Sequence, residues 1–174
     1  METFIKSEFQ HALILEDDAA IGDNLYLAIE AALIMQENWD VLRLQGFHSK
    51  PSLQLEEVLI NNITYQLNAH FKPTTCSVAY LINRKAAESY IETLLPMSLP
   101  YDHEFILGWK YKIKLRSLNP YPINHPKSTS TIARGHKLTG LPRINTVLYR
   151  LKIHVTLALF CAWETGLHKW RKLA

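Results

Sequence analysis

A run of apolar residues that ends in three consecutive carboxylates is the part of this sequence best suited to chemistry. The run reads Leu13-Ile14-Leu15-Glu16-Asp17-Asp18. Burying three carboxylates would be very costly, so the run predicts a strand whose acidic end is exposed. Hard divalent cations such as Mg²⁺ bind one or two carboxylates together with phosphate oxygens. The run is therefore a candidate metal–diphosphate site, or alternatively a solvated strand end in which Asp17 or Asp18 helps to cap the next helix.

The elements around this run alternate between strands and helices. A strand is predicted at His11–Glu16 and a helix from a cap at Asp23 or Asn24 to about Gln36. Further strands are predicted at Val41–Leu44 and Cys76–Ile82, and Val58–Leu67 is predicted to be a strand pair or an irregular edge. This alternation favours an α/β layered domain with a mostly parallel sheet.

The second half of the chain continues with shorter elements. Asn83 is expected to cap a helix over Arg84–Leu95, which Pro96 ends, and a short helix is expected to open at Pro100-Tyr101-Asp102. The alternation in Lys112–Leu115 predicts an edge strand. The predicted organisation is an α/β domain over residues 1–125, a loop over 126–141 and a C-terminal helix over 142–174.

Length and composition restrict the class of protein. With 174 residues and 48% hydrophobic content, the chain can bury one sizeable core. No stretch of about 18 apolar residues predicts a spanning helix, and the first residues lack the pattern of a secretory signal. The two cysteines, Cys76 and Cys161, have no metal-ligand spacing and suit a reducing compartment. We therefore expect a cytoplasmic protein.

Charge is distributed very unevenly along the chain. Residues 1–104 carry six Lys or Arg and fifteen Asp or Glu, a net −9. Residues 105–174 carry thirteen Lys or Arg and one acid, Glu164, a net +12. The acidic half can concentrate a cation, and the basic half can attract phosphates, anionic lipid or nucleic acid. Alternatively, the two halves neutralise each other in the fold.

Four segments together resemble glycosyltransferase family 25, the bacterial lipopolysaccharide and lipooligosaccharide glycosyltransferases. The chain shares with that family a strand with a Glu-Asp-Asp end, a Trp-Asp strand, a strand-then-helix segment and a Pro-x-Asp motif. Here these segments are Ala12–Asp18, Trp39–Leu44, Ala79–Glu88 and Leu99–Asp102. They occur in the family's order and spacing across roughly residues 11–125.

This resemblance implies a GT-A-like fold and an inverting glycosyltransferase. The donor would be a nucleotide-sugar, often UDP-galactose, and the acceptor a lipooligosaccharide or another glycan. Glu16, Asp17 and Asp18 would hold a divalent metal, Mn²⁺ or Mg²⁺, with Asp18 as the main ligand. Such a metal stabilises the negative charge that grows on the leaving diphosphate.

The chain departs from the family pattern in two places. Family members carry a substantial N-terminal portion before the Glu-Asp-Asp strand, which here starts about ten residues after Met1. The resemblance therefore implies a domain that is incomplete at the N-terminus, with part of the donor-base pocket missing. Tyr101 stands where the family usually has a small aliphatic residue. An inactive remnant that at most binds a glycan or partner is the alternative function.

Candidate roles for further residues follow from the chemistry of sugar transfer. The acceptor hydroxyl needs a base on the face of the sugar opposite the leaving group. Asp102 is the first candidate and Glu104 the second, ahead of His103. Arg43 is either a structural ion-pair partner of Asp40 or the acidic run, or a substrate contact.

Three polar residues beside a strand, Thr74, Thr75 and Tyr80, are candidates to hydrogen-bond a sugar, although Tyr80 also suits the core. A metal-dependent phosphohydrolase would need further ligands that the sequence does not offer. Nucleic acid is not expected as a partner, since aromatic and basic residues interleave poorly.

The C-terminal helix combines an apolar stretch, Val155–Trp163, with flanking basic residues. Such a helix suits an anionic membrane surface, and the predicted location is then peripheral at the inner face of the cytoplasmic membrane. A helix docked on the domain explains the same pattern.

Overall fold

The strands and helices of this computed structural model build a six-stranded sheet with helices on both faces. The structure describes residues 1–46, 52–72, 74, 77–94, 96–97, 101–124 and 143–166. The described strands are β1 (His11–Leu15), β2 (Ala20–Ile21), β3 (Val41–Arg43), β4 (Ser52–Ile60), β5 (Ile63–His70), β6 (Ala79–Asn83), β7 (Leu115–Asn119) and β8 (Ile123–Asn124). The described helices are α1 (Glu2–Ile5), α2 (Leu25–Ile34), α3 (Arg84–Thr93), α4 (Tyr101–Phe105), α5 (Gly108–Tyr111) and α6 (Arg143–Thr165), with a 3₁₀ turn at Gln36–Asn38.

The α/β class is confirmed, but the expectation of a mostly parallel sheet is wrong. The strand order is β1-β6-β3-β7-β5-β4, and only the β3–β7 pair is parallel. β1 and β3 do run in the same direction, as a strand–helix–strand unit predicts, because each is antiparallel to β6. β6 lies between them, so the two strands that α2 connects are not neighbours.

A hairpin accounts for the antiparallel edge of the sheet. β4 and β5 pair from Ser52 to His70 around a two-residue turn. The turn residues Asn61 and Asn62 have positive φ angles of 47° and 63°, the left-handed region that hairpin turns require and asparagine tolerates. The polar composition of the segment Phe47–Leu55 predicts a loop, but β4 already begins at Ser52.

β7 lies between β3 and β5, so the prediction of an edge strand at Lys112–Leu115 is wrong. The strand starts only at Leu115, and the alternating Lys112–Lys114 segment precedes it. The strand itself is buried on both sides, with Arg116, Ser117 and Leu118 almost inaccessible. The predicted loop over 126–141 lies outside the described residues.

Two apolar layers flank the sheet. On one face α2 presents Ala28, Ala31 and Ala32, whose small side chains allow the helix to lie close to Leu42 and Leu81. On the other face α3, α4 and α5 pack through Tyr90, Phe105 and Tyr111 against β6 and β3. The predicted cap of α3 is confirmed, since the Asn83 side chain accepts a hydrogen bond of 2.9 Å from the Ala86 amide.

α6 covers part of this second face of the sheet near β5 and β7. Cys161 is buried, and its thiol donates to the His70 carbonyl at 3.5 Å. Glu164 accepts a charge-assisted hydrogen bond of 2.7 Å from Arg116. None of the described helices is both long and apolar enough to cross a membrane.

Candidate functional site

The acidic run leaves the sheet at the edge where β1 and β3 both end. The Glu16 amide donates to the Val78 carbonyl at 2.8 Å, which continues the β1–β6 pairing by one step. The Ser77 hydroxyl donates to a Glu16 carboxylate oxygen at 2.8 Å. Asp17 and Asp18 follow in an exposed turn. The prediction of an exposed acidic strand end is therefore confirmed.

A pair of tyrosine hydroxyls connects this edge to α4. The hydroxyls of Tyr80 on β6 and Tyr101 on α4 are 2.7 Å apart. Burial raises the pKa of Tyr80, and the negative charge of Glu16 raises it further. The pKa of Tyr101 is raised by burial first and then by the neighbouring Tyr80 and Tyr90, with the charge of Glu16 as a smaller cause. Glu16 thus lies within electrostatic reach of the residue that precedes Asp102 in the chain.

The aromatic ring of Phe105 holds α4 in this position. It contacts the rings of Tyr80, Tyr90 and Tyr101 at centroid distances of 4.7, 5.9 and 5.6 Å. Burying a ring of this size contributes about 1.5–3 kcal/mol to stability. The packing fixes the start of α4 beside the start of β6, and so brings the segment of Asp102 close to the acidic edge.

The two carboxylates of α4 meet different surroundings. Asp102 is half-buried, whereas Glu104 is 1% exposed. Glu104 accepts hydrogen bonds from the Lys110 ammonium at 3.0 Å and the Tyr111 hydroxyl at 2.8 Å. These contacts give Glu104 a structural role between α4 and α5, while His103 is exposed.

Arg43 lies inside the structure at the same end of β3. Its Cα is opposite Tyr80 in the β3–β6 pair, and its guanidinium lies 5.9 Å from the centroid of the Phe105 ring. The guanidinium donates to the backbone carbonyl and the hydroxyl of Thr74. Arg43 therefore ties the segment before β6 to the sheet. Thr75, the other proposed sugar contact, lies outside the described residues.

The sequence predicts Asp40 as a possible ion-pair partner of Arg43. In the structure, Asp40 lies at the start of β3 and accepts hydrogen bonds from other residues. It accepts hydrogen bonds from the Lys85 ammonium, the Asn83 amide and the Lys114 backbone amide, the last at 2.7 Å. Burial alone would raise the pKa of Asp40, but these three donors together hold it below its ordinary value. Asp40 serves the fold at the edge opposite to the acidic run.

The carboxylates of the acidic run supply only some of the ligands that a hard cation needs. Within the described residues, no three His, Cys, Asp or Glu side chains converge to hold a metal ion. Asp17 and Asp18 are exposed carboxylates on a turn, a donor set that fits Mg²⁺ or Mn²⁺ bound also by phosphate oxygens. A metal ion at this edge would therefore need further ligands, such as those of a phosphate-bearing molecule.

Sequence reasoning missed two residues that organise this edge. In the sequence, Tyr101 is distinguished only as a bulky departure from the family pattern, and nothing distinguishes Ser77. The structure pairs Tyr101 with Tyr80 and Ser77 with Glu16. Neither contact leaves a local signal, because the partners are 21 and 61 residues apart in the chain.

Fold and site together define an α/β protein with a mixed sheet and a carboxylate-rich edge. No protein-family model and no curated protein sequence matches this chain.

Proposed function

We propose that this chain is a glycosyltransferase-type domain that transfers a sugar, galactose from UDP-galactose, to a lipooligosaccharide or another glycan acceptor. The proposal builds on the four family-25-like segments. The observation that supports it most is that Glu16, the Tyr80–Tyr101 hydroxyl pair and the segment of Asp102 meet at one edge of the sheet. These groups are distant in sequence, and a site that combines donor and acceptor chemistry needs them together.

Each group has a distinct task in the proposed reaction. Asp18, assisted by Asp17 and Glu16, would hold Mn²⁺ or Mg²⁺, and such an ion would supply positive charge opposite the departing diphosphate. Asp102 accepts the proton of the acceptor hydroxyl as that hydroxyl attacks the anomeric carbon. Tyr80 and Tyr101 are protonated at neutral pH, since the ordinary pKa of tyrosine is about 10 and burial raises the pKa of both. One hydroxyl of the pair donates to the other, and the second can donate a hydrogen bond to a sugar.

Donor binding tests the proposal directly. Calorimetry should detect UDP-galactose binding in the presence of Mn²⁺ or Mg²⁺, and EDTA should abolish it. Asp18→Ala should weaken this binding by about tenfold or more, as expected when one charged ligand is lost. Asp23→Ala, which removes another exposed carboxylate outside the run, is the matched control and should bind normally.

Two results count against the proposal. Equal affinity with EDTA present would exclude the metal role of the acidic run. No binding of UDP-galactose under any condition would favour the alternative, an inactive remnant that at most binds a glycan or partner.

We also propose that α6 attaches the protein to an anionic membrane surface. Its outward stripe consists of Leu148, Leu151, Val155 and Leu159, spaced three or four residues apart and all exposed. Arg150 and Lys152 are exposed beside it. An apolar face flanked by cations is the pattern of helices that lie in a lipid headgroup layer. This attachment would place the protein at the inner face of the cytoplasmic membrane.

A further inference from the structure

A groove of about 660 Å³ lies between α6 and the edge of the sheet opposite to the acidic run. Three lysines and an aromatic pair dominate its lining: Lys85, Lys112, Lys114, Phe160, Trp163 and Glu164. Lys85 follows the end of β6, and Lys114 precedes the start of β7. This lysine groove is therefore separate from the candidate site around Glu16. Its size is within the range of pockets that hold small ligands.

The carboxylates nearest to the groove are already committed to other partners. Glu164 pairs with Arg116 at 2.7 Å, and both side chains are more than nine-tenths buried. Asp40 accepts from Lys85 at 3.1 Å and also from the Lys114 amide and the Asn83 side chain. Lys85 is the partner of Asp40, and the Lys114 ammonium donates to the Glu37 backbone carbonyl at 2.9 Å, a contact that leaves its charge unneutralised. The open side of the groove therefore keeps the positive charges of Lys112 and Lys114. Such a surface favours an anion.

Lys112 is held in a backbone conformation that suits glycine better. It follows α5 with φ 54° and ψ 40°, the left-handed C-terminal position at which glycine is the usual residue. Its side chain is exposed, and among the described residues no carboxylate lies within ion-pair distance of its ammonium. A left-handed backbone at a lysine whose charge has no such partner indicates that the side chain does something other than stabilise the fold.

The opposite wall supplies a flat apolar surface. Trp163 is 79% exposed, and its ring centroid lies 6.0 Å from that of Phe160. An indole exposed beside a cationic cluster can stack on the face of a sugar or a base while the lysines contact an attached phosphate.

We propose that the lysine groove binds a phosphate group carried on a ring, with Lys112 and Lys114 at the phosphate and Trp163 against the ring. Two sources supply this chemistry, a sugar phosphate and a nucleotide. The proposal does not rest on glycosyl transfer, because none of the groove residues belongs to the candidate site.

Binding of defined probes to the full-length protein tests the groove. Glucose 1-phosphate and uridine monophosphate are titrated by calorimetry, with glucose and inorganic phosphate as the incomplete ligands. At least one ring phosphate should bind more tightly than both incomplete ligands, and added salt should weaken it. Whichever of the two probes binds more tightly identifies the source, and either result supports the proposal.

Two variants separate binding from folding. Lys112→Gly should lower the affinity about tenfold, the usual scale for a lost charged hydrogen bond, while the melting temperature stays equal or rises because glycine fits the left-handed position. Trp163→Ala should also weaken binding. Lys6→Ala, at an exposed lysine outside the groove, should change nothing.

Three outcomes would overturn the proposal. One is no binding of either ring phosphate at about 10 mM, well above a millimolar dissociation constant. Another is unchanged affinity in Lys112→Gly. The third is equal binding of inorganic phosphate and both probes, unaffected by Trp163→Ala. Asp18→Ala should lose UDP-galactose binding but should still bind the ring phosphates in the groove. The two proposals can therefore fail independently of each other.

Discussion

Asp102 and Glu104 are two residues apart on α4, and among the described residues only Glu104 has strong structural contacts. Glu104 is held by Lys110 and Tyr111, whereas Asp102 is half-buried near the acidic edge. If Asp102 is the general base, Asp102→Asn should lower kcat about 10²–10⁴-fold, the usual contribution of such a group. Donor affinity should be unchanged, because the base contacts the acceptor. Steady-state kinetics with calorimetry of UDP-galactose checks both values.

Glu104→Gln is the natural comparison for Asp102→Asn. We expect it to lower the free energy of unfolding by about 1–3 kcal/mol, because the donors from Lys110 and Tyr111 lose a charged acceptor. Urea unfolding measures this loss. A fully stable Glu104→Gln protein with no turnover would move the base to Glu104, and near wild-type turnover in Asp102→Asn would exclude Asp102.

Asp40 gives the fold a defined dependence on pH. Because its three donors leave its pKa in the folded protein below the ordinary value, the ionised form stabilises the native state. That contribution is complete above the unfolded pKa of about 3.9 and is lost as the pH falls through the lower folded pKa. The Asp40→Asn protein should therefore have a lower free energy of unfolding than wild type at pH 6. This difference should shrink at lower pH. Urea unfolding of both proteins at several pH values between pH 6 and about pH 2.5 measures the difference in their free energies of unfolding. A constant difference over this range would contradict the assignment.

At the scale of elements, α6 has one face on the sheet and another exposed. The notion of a docked helix is supported by buried Cys161 and by the Arg116–Glu164 pair. Burial raises the pKa of the Cys161 thiol to about 11, so little reactive thiolate exists at neutral pH. In the native protein, iodoacetamide should modify Cys161 at least about 100-fold more slowly than in urea. Mass spectrometry of the peptide that contains Cys161 measures the rate.

Variants test whether the ion pair holds α6 down. Arg116→Ala leaves Glu164 without its partner and should speed modification of Cys161, since a buried unpaired carboxylate disfavours docking. Arg150→Ala removes an exposed cation of the same helix and should leave the rate unchanged. Fast modification of Cys161 in the wild-type protein would mean that α6 leaves the sheet readily.

At the scale of the whole molecule, the close ion pairs among the described residues do little to offset the uneven charge between the two halves. There Lys85 pairs with Asp40 and Arg116 with Glu164, each within one half of the chain. The third pair joins Glu104 and Lys110 across the boundary. Exposed cations such as Lys112, Arg150 and Lys152 can contact an anionic surface, which is the partner we propose for α6.

Vesicle binding tests the outward stripe of α6. The protein should bind vesicles that contain anionic lipid more tightly than neutral ones, and salt should weaken the binding, since exposed charges are screened over about 10 Å at 0.1 M. Leu159→Glu should reduce this binding, because it places a like charge in the apolar stripe. Vesicle sedimentation measures the bound fraction.

A second exposed leucine provides the control. Leu59 on β4 is 66% exposed and Leu159 is 65% exposed, so Leu59→Glu introduces the same charge at equal exposure away from α6. It should leave binding unchanged. Equal losses in both variants, or no preference for anionic lipid, would exclude the stripe as the contact surface.

The sequence by itself determined the local elements and the exposed acidic end. β1, α2 and α3 lie where apolar spacing and the Asn83 cap predicted them, within a few residues. These features are local, because an apolar period, a capping side chain or a cluster of like charges acts over one or two turns of chain. The exposure of Glu16–Asp18 was predictable for the same reason, since burying three carboxylates together would be very costly.

Only the tertiary structure decided which strands are neighbours and which side chains meet. β6 lies between β1 and β3, and β7 lies in the middle of the sheet, because the pairing of strands depends on contacts between distant segments and not on the pattern within one strand. The Tyr80–Tyr101 pair and the lysine groove arise in the same way. The outward stripe of α6 also became visible only when the opposite face of the helix docked on the sheet, because an apolar sequence does not show which of its sides will be covered.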